Sequence, residues 1–447
     1  MRRNSLFISL IYRRDRISRY HAGSLFILKP SEDCLVEVPY EHTKINNALE
    51  ILWLSKGNNL GMSSKRQSNL HRHHLAPSAS SRKVLDAALP ALRPHIPTSI
   101  PLYRRLQFGR FFPDSLLFTN LDLGATSTPL ETPAANGTDA GSQPNDHHRH
   151  EDPWLIAFVD RTCRPETEVW VYGSWEDSPP APSPSSSSPT ETQAEWQAID
   201  DLVAELVRAC RDLPVSRSLH QDILDAQQTQ QQAENTDAAT STKPPNPFAS
   251  ARLPTIQLWG AIHTTTATIL ERLDVLASTS QVTSTAANHT FIFDVPGLPP
   301  PPALPEGLEW GEVRREHFAL IRSKSVIPRW DRTMASLPSL AIYPAAGNDG
   351  SSGDGAPVAW AFIGLDTSVT TLHVEPEWRG RGLGKAVTTK LFKRDMQRFW
   401  EEGVQRLAHG YVVMGNKASV GMMRGLGGMD MWKCYWLRVD LEKAGNM

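Results

Sequence analysis

The densest chemistry in the chain is Arg379-Gly380-Arg381-Gly382-Leu383-Gly384-Lys385. It lies between an apolar, strand-like run (369–376) and a helix-like run (384–403). Glycines at 380, 382 and 384 let backbone N–H groups converge without Cβ atoms in the way, and a helix N-terminus adds positive potential. Arg379, Arg381 and Lys385 add full charges. Such a turn suits a pyrophosphate or another multiply charged phosphate. The spacing is G-x-G-x-G, so the dinucleotide fingerprint G-x-G-x-x-G is absent. The triphosphate loop also fails, because Arg379 stands at its first glycine and Ala386 follows Lys385.

Elsewhere the chemistry is thin. Cys34, Cys163, Cys210 and Cys434 lie far apart with no C-x-x-C spacing, which indicates neither a zinc cage nor a disulfide framework. No local Ser-His-Asp or Cys-His signature occurs. His71-Arg72-His73-His74 could bind metal but reads as an unstructured polar tract, and no metal is expected.

The elements that must position the turn follow from periodicity. LAIYP (340–344) and PVAWAFIGLD (357–366) read as a hairpin and VTTLHVEP (369–376) as a strand. Residues 384–403 carry Val387, Leu391, Met396, Phe399 and Trp400 on one helical face. AHGYVVM (408–414) is a strand, KASVGMMRGLGG (417–428) a short helix with a glycine stop, and CYWLRVDL (434–441) a last strand. The predicted class is α+β, a mixed, mostly antiparallel sheet with flanking helices, splayed around one strand-turn-helix unit.

Upstream, organised sequence is expected from about Val84. Residues 85–112 read as a helix, a proline-broken connection and a second segment. Strands are expected at 153–160, 167–175, 255–261 and 291–295, with helices at 194–213 and 264–276. Low-complexity insertions at 124–152, 178–190 and 226–249 cannot bury enough apolar surface to offset ordering entropy and are expected to be mobile. Prolines within 296–305 mark a boundary. The expected layout is a disordered or targeting extension (1–84), an N-terminal lobe (85–296) and a phosphate-binding domain (305–447).

Net charge is −2, from 46 basic and 48 acidic residues, which fits neither a general nucleic-acid binder nor a polybasic membrane protein. No run of 18 apolar residues suggests a membrane span. A cytoplasmic location is expected. Arg2, Arg3, Arg13, Arg14, Arg16 and Arg19 against the single acid Asp15 keep a mitochondrial transit peptide as the alternative.

The segment LHVEPEWRGRGLGKAV (372–387) resembles the acyl-CoA-binding segment of the GNAT superfamily of N-acyltransferases. Arg379, Gly382 and Gly384 match its pattern [Q/R]-x-x-G-x-[G/A]. A second family pattern, N-x-x-S-x-x-x-Y-x-x-x-G-F, is met by Asn416, Ser419 and Gly427, with Met423 for the tyrosine and Gly428 for the phenylalanine. This version is most similar to the glycine N-acyltransferase-like branch, as are, more faintly, Leu102-Tyr103-Arg104 and Arg272-Leu273.

The resemblance implies two GNAT-like lobes, the N-terminal one degenerate, and acetyl-CoA or another acyl-CoA as co-substrate. The acceptor would be a small amine or amino acid, attacking the thioester directly in a ternary complex. An inactive acyl-CoA-binding scaffold of the same fold is the alternative. It implies that Leu372, Val374, Arg379, Gly380, Arg381, Gly382, Leu383, Gly384, Lys385 and Asn416 bind the co-substrate. The Leu372 N–H would face the oxyanion and Asn416 the departing sulfur, or Asn416 serves only as a helix N-cap. Strand alternation would put Thr370 and Ser368 on the side of Leu372, holding a water chain to Asp366 as base. His373 would then face the helix 384–402 as a structural histidine.

Overall fold

Amphipathic runs can bury their apolar sides only against one another, and here they do so on one long sheet. The computed structural model describes residues 24–28, 35–39, 69–123, 152–164, 166–177, 189–214, 254–278, 287–325, 329–345 and 355–446. Most of the low-complexity insertions (124–152, 178–190, 226–249) and the Arg-rich first twenty residues lie outside the described residues. Among the described residues before position 68, β1 (Ser24–Leu28) pairs antiparallel with β2 (Leu35–Pro39).

From residue 68 on, the chain forms a compact unit of its own. Its helices and strands fall into two runs of the same order. The first is β3 (His71–His74), α1 (Ala79–Leu92), α2 (Ile100–Phe108), β4 (Leu116–Thr119), β5 (Leu155–Val159), β6 (Val169–Gly173), α3 (Pro189–Arg211), β7 (Ile256–His263), α4 (Thr264–Arg272) and β8 (Asn288–Asp294). The second is β9 (Leu308–Gly311), α5 (Phe318–Lys324), α6 (Asp331–Met334), β10 (Ser339–Pro344), β11 (Ala359–Ile363), β12 (Val369–Val374), α7 (Leu383–Asp395), β13 (Leu407–Val413), α8 (Lys417–Arg424) and β14 (Met429–Asp440).

The sheet has twelve strands in the order β3-β4-β5-β6-β7-β14-β8-β13-β12-β11-β10-β9. Each half is an antiparallel meander whose inner strand meets the next one parallel at a single register pair: Val169 with Trp259 for β6 and β7, Val369 with Gly410 for β12 and β13. The last strand of each run crosses over. β8 pairs with β13 in the second lobe, β14 pairs with β7 in the first, and β8 and β14 pair with each other at the centre. The mostly antiparallel α+β class holds, with two splayed junctions instead of one.

Each lobe has two packed faces. In the second lobe α7 covers the face carrying Ala359, Ala361, Ile363 and Val369, and the α5–α6 segment covers Trp360 and Phe362. Leu383, Val387 and Leu391, at a spacing of four, are buried to 2 % exposure or less. Each such side chain contributes about 1.5–3 kcal/mol by leaving water. Between the lobes α2 is the clamp. The Arg104 guanidinium is buried, donates to Phe399 O (2.6 Å) and Leu407 O (3.4 Å), and lies 5.3 Å over the Trp400 ring.

Two expectations need correction. His71–His74 is a strand paired with β4, and α1 starts at Ala79 behind the Ser78 cap, so order begins well before Val84. Pairing with Leu116–Thr119 gives the polar tract backbone partners that its composition cannot signal. No helix among the described residues is long and apolar enough to cross a membrane.

Candidate active site

Gly410 sits where β12 and β13 touch. A Cβ there would lie 2.6 Å from Val369 Cγ1 and 3.3 Å from Met423 Cε, so only glycine lets the strands close. Beyond this point they part. β12 bulges there: Thr370 faces Phe362 and His373 faces Trp360, so Thr371 and Leu372 share one partner position, and Thr371 has φ +54°. A β-branched residue in the left-handed region is strained by about 1–3 kcal/mol, a cost typical of functional sites. Glu375 N–H donates to Val358 O on the β11 side. Strand alternation therefore turns the N–H groups of Val374 and Leu372 away from β11, toward the gap.

The bulge also reverses the expected faces. Thr370 and His373 lie opposite Phe362 and Trp360, on the α5–α6 face, while Leu372 and Val374 pack with the α7 cluster. His373 therefore does not face the helix 384–402 as strand alternation predicts, because alternation does not run through a bulge. The His373 imidazole stacks on Trp360 with centroids 4.6 Å apart, and its Nε2 is 3.5 Å from Glu375 Oε2. Burial lowers its pKa from the ordinary 6.5, and Glu375 offsets this only in part.

At the wide end of the gap the chain turns into α7. Gly380 and Gly382 have φ +77° and +79°, and a Cβ at either would meet nothing within 4 Å, so conformation rather than space requires glycine. The first helical bond runs from Ala386 N to Gly382 O, which leaves the N–H groups of Leu383, Gly384 and Lys385 without helical acceptors. The cations are partly engaged. Arg379 Nε donates to Val374 O (3.0 Å), and the Arg381 guanidinium lies 4.7 Å over the Trp378 ring. Lys385 Nζ donates to Gly425 O (3.0 Å), joining α7 to the end of α8. Asn416 is exposed and caps α8, its Oδ1 accepting from Ser419 N (3.1 Å).

Asp366 is buried in the turn before β12. Its Oδ1 accepts from Ser368 Oγ (2.7 Å) and N (3.2 Å), its Oδ2 accepts from Tyr411 OH (3.0 Å), and His409 Nε2 is 3.6 Å away. Burial pushes this carboxyl up, but His409 and the Ser368 hydrogen bonds outweigh it and hold the pKa at about 2. The phenol of Tyr411 moves well above its usual range through burial and the neighbouring Asp366. Thr370 is engaged elsewhere: its hydroxyl accepts from Arg329 Nη2 at 2.7 Å. Tyr411 and Arg329 carry no local sequence signal. Proximity across the sheet brings them in.

The first lobe repeats the geometry without the chemistry. Trp175 follows β6 and is 2 % exposed. Its indole N–H donates to Thr266 Oγ1 (3.0 Å) in α4, across the mouth between β6 and β7. The turn after β6 reads Gly173-Ser174-Trp175-Glu176-Asp177, acidic where the turn after β12 is cationic. Among the described residues no group of three or more His, Cys, Asp or Glu comes together as a metal site would require.

Residues 72–294 match the family model of the acyl-CoA N-acyltransferase verG N-terminal domain, and residues 351–437 match the FR47-like protein model. No curated protein sequence matches the chain. Among solved structures, a Drosophila protein is 12 % identical, with 83 % of this chain and 98 % of that one covered at a TM-score of 0.46. A tandem GNAT protein from the clavulanic acid biosynthesis pathway is 12 % identical over 83 % of this chain and 98 % of that one, at a TM-score of 0.35. A GCN5-related N-acetyltransferase from Sphaerobacter thermophilus is also 12 % identical over 83 % and 96 %, at a TM-score of 0.35. The two family matches, one in each lobe, support the GNAT superfamily and, as general activity, acyl transfer from acyl-CoA to an amine. Neither names the glycine N-acyltransferase-like branch.

Proposed function

We propose that the chain transfers an acetyl or other acyl group from acyl-CoA to the nitrogen of a small amine or amino acid, by direct attack within a ternary complex. One observation carries the reading. Of the two parallel junctions, the one between β12 and β13 opens onto the glycine turn and the N–H groups that begin α7. The residues fit a diphosphate there: Gly380 and Gly382 leave open space above backbone donors, flanked by Arg379 and Arg381. Gly384 and Leu383 contribute N–H groups, and Lys385 sets α8 against α7. The N–H groups of Leu372 and Val374 would pair with the pantetheine amides as a sheet edge pairs with an added strand. The Leu372 N–H also faces the carbonyl oxygen as charge develops on it. The Asn416 amide, half used as a cap, would lie near the sulfur.

The amine arrives as ammonium and must lose a proton before attack. The bulge makes His373 our choice of base: a neutral imidazole beside Glu375, on the face away from the phosphate helix. Asp366, held at about 2 with both oxygens engaged, is too weak a base for this task and instead anchors the turn before β12. Thr370 positions Arg329 rather than a water chain.

Release of free thiol from acetyl-CoA with a panel of amines tests the proposal, turnover above the amine-free rate being the expected result. Met423, which fills the apex under Gly410 where the resembling family carries a tyrosine, favours a second reading, an inactive acyl-CoA-binding scaffold. Binding of acetyl-CoA without turnover of any amine would establish it. A thiol leaves as thiolate with a pKa near 8.5, so a missing acid costs less than the usual contribution of about 10²–10⁴-fold.

A further inference from the structure

Thr370 is the first residue of β12 past the point where β12 and β13 part, and its side chain lies on the face opposite α7. The Arg329 guanidinium that reaches it is held from behind. Trp330 N donates to Glu166 Oε1 (2.8 Å), the Trp330 indole to Arg164 O (2.7 Å) and Thr333 Oγ1 to Glu166 Oε2 (2.8 Å). The segment that carries Arg329 is thereby fastened to the loop before β6 in the other lobe. Glu166 is buried, with both oxygens taken by these donors.

Arginine has five N–H donors in a planar fork. Among the described residues Arg329 spends one on Thr370, and its Nε–H is buried with no partner. A buried donor without a partner is unfavourable unless a ligand completes it. That ligand is not the diphosphate, which belongs to the N-terminus of α7 on the other face and at the wide end of the gap. What must come from the Arg329 side, at the narrow end, is the acceptor. An arginine fork matches a carboxylate in two parallel hydrogen bonds.

We propose that Arg329 binds a carboxylate on the acceptor, so that the preferred acceptor is an amine that also bears a carboxylate. This rests on the acyltransferase reading above. The same chemistry could come from a dicarboxylic acyl group on the donor, which the test separates.

The test is steady-state kinetics with phenylalanine and its decarboxylated counterpart phenethylamine, acetyl-CoA being the donor, for wild type, Arg329→Lys and Arg329→Gln. The expected wild-type preference for phenylalanine is about 10²-fold or more in kcat/KM. Arg329→Gln is expected to lose most of that preference, mainly through KM. Its loss on phenethylamine should be at least tenfold smaller, its acetyl-CoA affinity like wild type, and Arg329→Lys intermediate. No wild-type preference, or equal losses on both acceptors, would overturn the assignment. An Arg329 dependence seen only with succinyl-CoA and phenethylamine would also overturn it, in favour of the donor. Absence of turnover with any acceptor would remove the acyltransferase reading itself, a different result from turnover without carboxylate preference.

Discussion

At the residue scale the decisive feature is Thr371, whose positive φ swings the side chains on either side of it to opposite faces. With His373 on the α5–α6 face and proposed as the base, His373→Gln should lower kcat by about 10²–10⁴-fold while acetyl-CoA affinity holds. The sign of the pH dependence follows from the lowered pKa. The active neutral form is lost only as pH falls below 6.5, so wild-type kcat/KM should show an acid limb there that the variant lacks. Asp366 acts on stability. A buried carboxyl held at about 2 instead of its ordinary 3.8 contributes roughly 2 kcal/mol, present in full above pH 4 and lost as pH falls through about 2. Asp366→Asn should unfold at lower urea at pH 7, and the difference from wild type should shrink between pH 4 and pH 2. A constant difference across that range would show that the pKa is not depressed.

At the element scale, legibility followed locality. The turn 379–385 could be read because its glycines, cations and flanking strand and helix are contiguous. The bulge could not: Thr370-Thr371-Leu372 alternates well enough, and only pairing with β11 reveals the extra residue. The occupation of Lys385 by Gly425, forty residues away, is equally silent in the sequence. So is the strand at His71–His74, which exists because β4 offers an edge. The role of α2 was likewise hidden. Leu102-Tyr103-Arg104 stands out as a motif, yet its use is to join the lobes through the carbonyls of Phe399 and Leu407. Arg104→Ala leaves both carbonyls without that donor and opens space beside Trp400. It should destabilise the protein by about 2–4 kcal/mol, seen as a lower urea midpoint with unchanged slope.

At the scale of the whole molecule, the exchange of β8 and β14 makes each lobe depend on a strand of the other. A fragment of residues 69–303 lacks the antiparallel partner of β7, and one of 304–447 lacks the antiparallel partner of β13. Expressed separately, neither should unfold cooperatively, and mixing should restore the transition. A cooperative transition in either fragment alone would show that the exchange is dispensable. The two lobes also differ at the turn after the splayed strand. Trp175 and the acidic Glu176-Asp177 turn close in the first what Gly380 and Gly382 open in the second, so one acyl-CoA per chain is expected. Calorimetric titration of acetyl-CoA into wild type and Gly382→Asp, both checked for native circular dichroism, tests this most directly. The account predicts one site per chain in wild type and none detectable in the variant, whose carboxylate stands among the N–H groups that must meet phosphate. Wild-type-like affinity in Gly382→Asp, or no binding to the wild type, would contradict it.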